Sequence, residues 1–107
     1  MPPTNKEPVP RDVRKRFRQL VATWRKETGH LSSAERMARH PAYLEIIALG
    51  EPAIPLLLAE LRRKPDFWFA ALRALSGENP VPAASAGKIK EMAQAWIEWG
   101  KARGYLE

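Results

Sequence analysis

Residues 49–77, LGEPAIPLLLAELRRKPDFWFAALRALSG, constrain the fold of this chain more than any other segment. Proline, aspartate and glycine stand where helices should begin and end. Pro52 opens one helix and Pro65 closes it. Asp66 is placed to cap the following helix, which ends at a glycine. Two helices joined by so short a Pro-Asp link must lie antiparallel or nearly so. The segment therefore predicts an antiparallel helical hairpin over about 51–77.

The segments before the hairpin also show helical periodicity. Apolar residues recur at three- and four-residue spacing over 11–28, which predicts an amphipathic helix. Gly29 is expected to end it in the left-handed conformation. Ser32 and Glu35 match a capping box, which predicts a short helix over about 33–39.

Helical patterns fill most of the remaining chain. Pro41 should restart a helix that stops at Gly50, and residues 79–82, NPVP, should form an extended crossing segment. A last helix over about 85–103 carries two tryptophans. No segment alternates with a period of two, so we predict an all-α fold, a compact bundle of five or six helices.

Length and composition indicate one domain. Residues 1–10 contain four prolines and are expected to be a disordered lead-in, followed by a single all-α domain over 11–107. One core is expected to hold the inward-facing apolar residues, namely Phe17, Leu20, Trp24, Leu44, Ile47, Leu57, Leu61, Leu72, Leu75, Met92 and Trp96.

The composition argues against most kinds of chemistry. The chain has no cysteine, which excludes disulfides, Cys-ligated zinc and a thiol nucleophile and fits a reducing cytosol. His30 and His40 are accompanied only by scattered carboxylates at no spacing typical of a metal site. No apolar run is long enough to cross a membrane. We therefore expect no cofactor, no metal and no membrane contact, and no enzymatic motif is evident.

Positive charge is concentrated near the N-terminus. Residues 1–30 hold eight Lys/Arg against three Asp/Glu, a balance of +5 out of a total of +6. On a helical wheel, five cations of the first helix lie roughly opposite its apolar side: Arg11, Arg14, Lys15, Arg18 and Arg25. This face could bind nucleic acid, as would suit a small regulator or an antitoxin-type component, or it could be only a solvated helix face.

Three consecutive aromatic residues give the alternative of protein binding. Phe67, Trp68 and Phe69 would span about 200° of a helix, so they cannot all face one core. Either the helix is sandwiched between layers or at least one ring is exposed. An exposed ring beside the cations at 62–64 would anchor a protein interface. The predicted protein-binding residues are Arg62, Arg63, Lys64, Phe67, Trp68 and Phe69.

A more remote alternative is catalytic. Arg25 and His30 have the Arg-x4-His spacing that resembles the motif of small all-α bacterial ribonucleases of the HEPN class. In such a site the arginine would hold phosphate and the histidine would transfer protons.

The hairpin segment also carries a family resemblance. LGEPAIPLLLAEL, a short Pro/Asp turn and ALRAL resemble a HEAT-type repeat, in particular the bacterial PBS-lyase-like kind. The Trp-x-x-Trp helix resembles the way some of these domains end, and the GENPVP segment looks like that of a small bacterial family. The resemblance implies a cytoplasmic protein-interaction module that binds a partner or a second copy of itself. Because one repeat is clear, flanking helices should cap it into a compact domain.

Overall fold

Six α-helices form from the segments with helical apolar spacing, in a computed structural model that describes residues 9–106. No strand occurs in this range, so the all-α prediction is confirmed. The predicted lead-in lies mostly outside the described residues. The helices are α1 (Arg11–Thr28), α2 (Ala34–Met37), α3 (Pro41–Ala48), α4 (Ala53–Arg63), α5 (Phe69–Ser76) and α6 (Ile89–Ala102), with a short 3-10 turn at Ala83–Ser85.

Helix α4 lies at the centre of the bundle because it is apolar on most of its circumference. Ile54, Leu57, Leu58 and Leu61 are all buried, and the helix contacts α1, α5 and α6. Helix α1 packs mainly on α3 through its apolar face. The Cα radius of gyration is 13.4 Å, close to the roughly 13 Å expected of a single domain of about 100 residues.

Helix α1 has the predicted bounds, but its ending differs from the prediction. Gly29 has φ −59° and ψ −22°, a right-handed conformation, so the expected left-handed cap is wrong. The Thr28 hydroxyl donates to the Trp24 carbonyl at 2.5 Å, and the Leu31 N–H donates to the Thr28 carbonyl at 2.9 Å. These bonds satisfy the helix end with a tight right-handed turn, which leaves no need for a left-handed residue.

The second and third helices begin at side-chain caps. Ser33, and not Ser32, caps α2, because its hydroxyl accepts from the Arg36 N–H at 3.3 Å. The predicted capping box is thus off by one residue, and Glu35 pairs with a neighbouring arginine instead. The predicted start of a helix at Pro41 is confirmed, since His40 Nδ1 accepts from the Ala42 N–H, the first N–H of α3, at 3.0 Å.

The connection between α4 and α5 is longer than predicted. It comprises residues 64–68, and α5 begins at Phe69, so the two-residue link and the capping role of Asp66 are both wrong. The Asp66 carboxylate accepts from the adjacent Phe67 N–H at 2.8 Å, which folds it back on the link. Phe67 and Trp68 therefore precede the helix, and the three aromatic residues do not share a helical turn.

The cap of α5 comes from a distant residue. The hydroxyl of Tyr43 accepts from the Ala71 N–H at 3.0 Å and donates to the Phe67 carbonyl at 2.9 Å. Ala71 is the third residue of α5, and its N–H is one of those that an N-cap side chain ordinarily satisfies. A tyrosine of α3 thus replaces the local cap.

Three buried aromatic rings connect α1, α3 and the link before α5. The ring centroids of Trp24 and Trp68 lie 4.4 Å apart, and the Tyr43 ring stacks on that of Trp68 at 5.6 Å with an interplanar angle of 13°. The Trp24 indole N–H donates to the Met37 carbonyl at 2.8 Å, which fixes the end of α2 to the same cluster. Offset rings at these distances are the favoured arrangement of aromatic pairs.

Helix α6 begins four residues later than predicted. Gly87 has φ 84°, which breaks the helical path between the 3-10 turn and Ile89. Near the other end, Gly100 is buried against α4. A Cβ at this position would lie 2.6 Å from Leu58 Cδ1, so any larger residue would force the buried Leu58 side chain to shift.

The core matches the prediction except at the rim. The buried members are Phe17, Leu20, Trp24, Leu57, Leu61, Leu72 and Trp96, while Ile47, Leu75 and Met92 are half-buried. Leu44 is 53% exposed, so its placement in the core was wrong. The buried face of α3 is formed by Ala42, Tyr43 and Ile46, which turns Leu44 outward.

Candidate functional site

An apolar groove of about 550 Å³ opens between α2, the start of α5 and α6. Its walls are formed by Phe67 and Phe69 on one side and by Ile89 and Met92 on the other. Small residues on the remaining boundary keep the space open, because they place no bulky side chain in it: Ala34, Ala38, Ala70 and Gly87. A volume of this size is within the range of binding clefts in proteins.

Charged groups stand at the edge of the apolar groove. Glu35 and Arg39 pair with each other at 2.5 Å, whereas Arg73 pairs with no carboxylate among residues 9–106. A smaller depression of about 190 Å³ adjoins the groove at Arg73 and extends toward Val81 and Trp96. The groove is therefore apolar inside and carries one uncompensated positive charge at its edge.

The six residues predicted to bind protein do not form one surface in the structure. Trp68 is fully buried, so it offers no surface to a partner. Phe69 is 7% exposed and Phe67 is half-buried, and both line the apolar groove. The three rings are not equivalent, as predicted, but the helix begins at Phe69, two residues later than predicted.

The three cations predicted to bind protein, at positions 62–64, lie away from the apolar groove. Arg63 binds the Glu60 carboxylate at 3.0 and 3.1 Å, and Lys64 is exposed after the end of α4. Arg62 lines a separate depression of about 370 Å³ between α4 and α6, together with Lys90. Residues 62–64 thus do not border the apolar groove.

Four of the five cations predicted to bind nucleic acid lie together. Arg11, Arg14, Lys15 and Arg18 are exposed on one face of α1, and within residues 9–106 their side chains make no ion pair or hydrogen bond. We call these four residues the basic ridge. Its first and last members, Arg11 and Arg18, lie about 10.5 Å apart along the helix axis, at about 1.5 Å per residue.

Arg25 does not belong to the basic ridge. Its guanidinium lies 3.1 Å from a Glu60 carboxylate oxygen and 3.5 Å from one of Asp66, and its side chain is 23% exposed. It therefore joins α1 to α4 and to the link that follows. His30 is exposed beyond the end of α1, while Arg25 is held by two carboxylates, so the arginine needed for the ribonuclease alternative is already engaged.

The perturbed titratable groups lie outside both surfaces. Burial raises the pKa of Tyr43 to about 12, against weaker opposing effects of its hydrogen bond with Ala71 and of Arg73. The hydrogen bond from Arg103 lowers the pKa of Glu78. Burial, reinforced by the Glu51 carboxylate, raises the pKa of Tyr105. None of these groups faces the apolar groove or the basic ridge, so they report on structure.

Metal-binding and membrane-spanning features were sought in the part of the chain that the structure describes. Between residues 9 and 106 no three histidine or acidic side chains gather as a metal site would require. In the same range, no helix combines the length and the apolar character needed to cross a bilayer.

Comparison with known proteins gave no match, whether to family models, to curated proteins or to solved structures. The candidate features for function are therefore the two surfaces, the apolar groove and the basic ridge. Sequence reasoning identified the basic ridge directly from its charge spacing. It missed the apolar groove, because Ile89 and Met92 meet Phe67 only through the tertiary fold.

Proposed function

We propose that this protein is a non-catalytic interaction module that binds a segment of another protein in the apolar groove. The observation that supports the proposal is the groove itself, with two phenylalanines, an isoleucine and a methionine around about 550 Å³. Aromatic and methionine side chains are enriched where protein partners bury an anchor. An apolar side chain that enters this space would exchange water for contacts with all four residues.

The edge of the groove indicates the chemistry of the partner. Arg73 has no carboxylate partner among the described residues, whereas Glu35 and Arg39 neutralise one another. A peptide with one or two apolar anchors and a nearby carboxylate would satisfy both features. An amphipathic helix that presents anchors at three- and four-residue spacing has this form.

Selection from a library of displayed peptides tests this chemistry. The wild-type protein should select sequences with apolar residues three or four apart and an acidic residue beside them. Met92→Glu places a charge inside the groove, and Arg73→Glu reverses the charge at its edge. We expect the first substitution to abolish binding of the selected peptides and the second to weaken it at least tenfold.

A matched control separates the groove from general effects of added negative charge. Leu44→Glu introduces the same side chain at a position 53% exposed on α3 and should bind the peptides like the wild type. Circular dichroism melts establish that each variant is folded, and Arg73→Glu, at an exposed site, provides a test if Met92→Glu unfolds. Equal binding by wild type and Arg73→Glu, or selection of peptides without apolar anchors, would refute the proposal.

Two expectations accompany this proposal. The resemblance of residues 49–77 to a HEAT-type repeat favours a scaffolding role, and the absence of cysteine fits a cytoplasmic setting. A second copy of this chain is the alternative partner for the groove, and the protein would then self-associate. Light scattering on a concentration series would reveal it as a dimer that Met92→Glu converts to monomer.

A further inference from the structure

We infer that the basic ridge on the N-terminal half of α1 binds the phosphate backbone of duplex DNA without sequence specificity. This inference is independent of the apolar groove, which lies between other helices. It depends on the distribution of charge in the folded chain, on the position of the ridge relative to the core, and on the residue types that surround it.

The first observation is that the ridge keeps its charge after folding. Nearly all the acidic residues from 9 to 106 already have a partner: Glu27, Glu35, Glu45, Glu51, Glu60, Asp66, Glu78, Glu91 and Glu98. The exception, Asp12, is one carboxylate beside four cations. Between residues 9 and 30, five cations have no ion pair, and four of them are gathered on this one short row of side chains, the fifth being Lys26.

The second observation is that the ridge opposes the stability of its own helix. Arg11, Arg14, Lys15 and Arg18 are spaced three and four apart, where like charges repel. Arg11 and Arg14 also stand in the first turn of α1, where the helix dipole favours negative charge. An anionic ligand would relieve both conflicts. Local conflicts of this kind are typical of functional positions.

The third observation is accessibility. The first buried residue of α1 is Phe17, and of the six helical residues before it only Val13 is half-buried and packs against the core. Arginine predominates on the ridge, and its planar guanidinium can bind a phosphate through two parallel hydrogen bonds. A convex helix that carries such side chains can approach the major groove of B-form DNA, which is wide enough to admit an α-helix.

The same features disfavour other polyanions. Binders of single strands use exposed aromatic rings for base stacking, and the large apolar side chain most exposed in the described chain is Leu44, on α3. The major groove of duplex RNA is too narrow for a helix. Insertion into a membrane requires an exposed apolar face, but that of α1 is buried through Phe17, Leu20 and Trp24.

A salt titration of DNA affinity tests the inference. The probe is a fluorescein-labelled DNA duplex of about 20 base pairs, two helical turns. Four phosphate contacts predict a slope of about −3.6 for log affinity against log salt, and hence a loss of about 150-fold between about 50 and 200 mM salt. Replacement of Arg11, Arg14 and Arg18 by glutamine should leave one contact and reduce the loss to about threefold.

A charge-matched control identifies the surface. Arg36, Lys64 and Lys90 are exposed cations away from the ridge, and their triple replacement by glutamine should leave the slope unchanged. The ridge variant should also melt at a higher temperature than the wild type in the absence of DNA, because it removes repulsion within α1. If these arginines only stabilised the fold, the ridge variant would melt at a lower temperature than the wild type.

Each alternative has its own outcome. An equal loss of slope in both triple variants would mean diffuse attraction by the whole protein and would overturn the inference. So would tighter binding to duplex RNA, to single-stranded DNA or to phosphatidylserine-containing vesicles than to the DNA duplex. No DNA binding at about 50 mM salt would do the same, since counterion release is then at its most favourable.

Discussion

The hydroxyl of Tyr43 allows the packing of this fold to be tested with the removal of one atom. Tyr43→Phe keeps the ring and its stacking on Trp68 but removes the acceptor for the Ala71 N–H and the donor to the Phe67 carbonyl. Ala71 is fully buried, so its N–H would lose its partner without access to water. Phe67 is half-buried, so water can replace the hydroxyl at its carbonyl.

These two environments set the size of the effect. Loss of a capping acceptor costs about 1–2 kcal/mol, and a solvent-accessible hydrogen bond adds about 0.5 kcal/mol. We therefore expect Tyr43→Phe to lower the free energy of unfolding by about 2 kcal/mol, which corresponds to a melting temperature lower by about 8–16 °C. Urea denaturation followed by tryptophan fluorescence measures the change, and Trp24 and Trp68 beside the ring report on it directly.

A second tyrosine provides the matched control. The Tyr105 hydroxyl donates to the Glu51 carboxylate at 3.4 Å near the surface, so Tyr105→Phe removes the same atom from a long, solvated bond. It should change the free energy of unfolding by less than about 0.5 kcal/mol. If Tyr43→Phe costs no more than Tyr105→Phe, the hydroxyl does not cap α5 and the reasoning fails.

Alkaline pH gives an independent check on the same group. The unfolded chain releases the Tyr43 proton near its ordinary pKa of 10.0, whereas burial raises the pKa of the folded state to about 12. The folded protein therefore binds more protons than the unfolded chain between these values, and its stability falls as pH rises. By about pH 12, where the folded-state hydroxyl is half ionised, the wild type should lose about 2.3 kcal/mol relative to Tyr43→Phe, which would cancel the advantage measured at neutral pH.

Substitutions at two positions of α6, Gly100 and Trp96, test its packing. Gly100→Ala raises helix propensity by about 1 kcal/mol but drives a methyl group against the buried Leu58, so we expect a net loss of about 1 kcal/mol in urea melts. Leu58→Ala should make Gly100→Ala neutral or stabilising in a double-mutant cycle, and additivity would contradict the close contact. Trp96→Ala should cost about 3–5 kcal/mol, because Trp96 is fully buried. Trp96→Phe should cost less than Trp96→Ala, because it removes fewer buried atoms and the indole N–H has no partner among the described residues, and an equal loss would contradict this.

Helices were predictable from the sequence wherever apolar spacing and local caps agree. The bounds of α1 were correct because its periodicity extends over the whole helix, and the start of α3 was correct because Pro41 can begin a helix but not continue one. Errors arose where a tertiary contact replaced a local one. The Asp66 carboxylate has the chemistry of a helix cap, yet the Ala71 N–H of α5 donates to the hydroxyl of Tyr43, which lies 28 residues away in the chain.

The same distinction applies to the candidate surfaces. The apolar groove needs Phe67 and Met92 to face one another across the fold, and nothing local to either residue indicates that they do. Charge spacing on one helix is a local property, so four members of the basic ridge could be named from the sequence. The ion pair of Arg25 could not be predicted, since its partner Glu60 lies on another helix.

The pairing of Arg25 with Glu60 and Asp66 changes the salt dependence that we expect for DNA affinity. Five cations on α1 would predict a slope of about −4.5 for log DNA affinity against log salt, whereas the four left after Arg25 pairs with Glu60 and Asp66 predict about −3.6. Arg25→Gln should therefore leave the slope unchanged while it lowers stability, because two carboxylates lose their shared cation. A slope that falls by about 0.9 in Arg25→Gln would mean that DNA draws Arg25 away from its carboxylates. Folding would then compete with binding for this arginine.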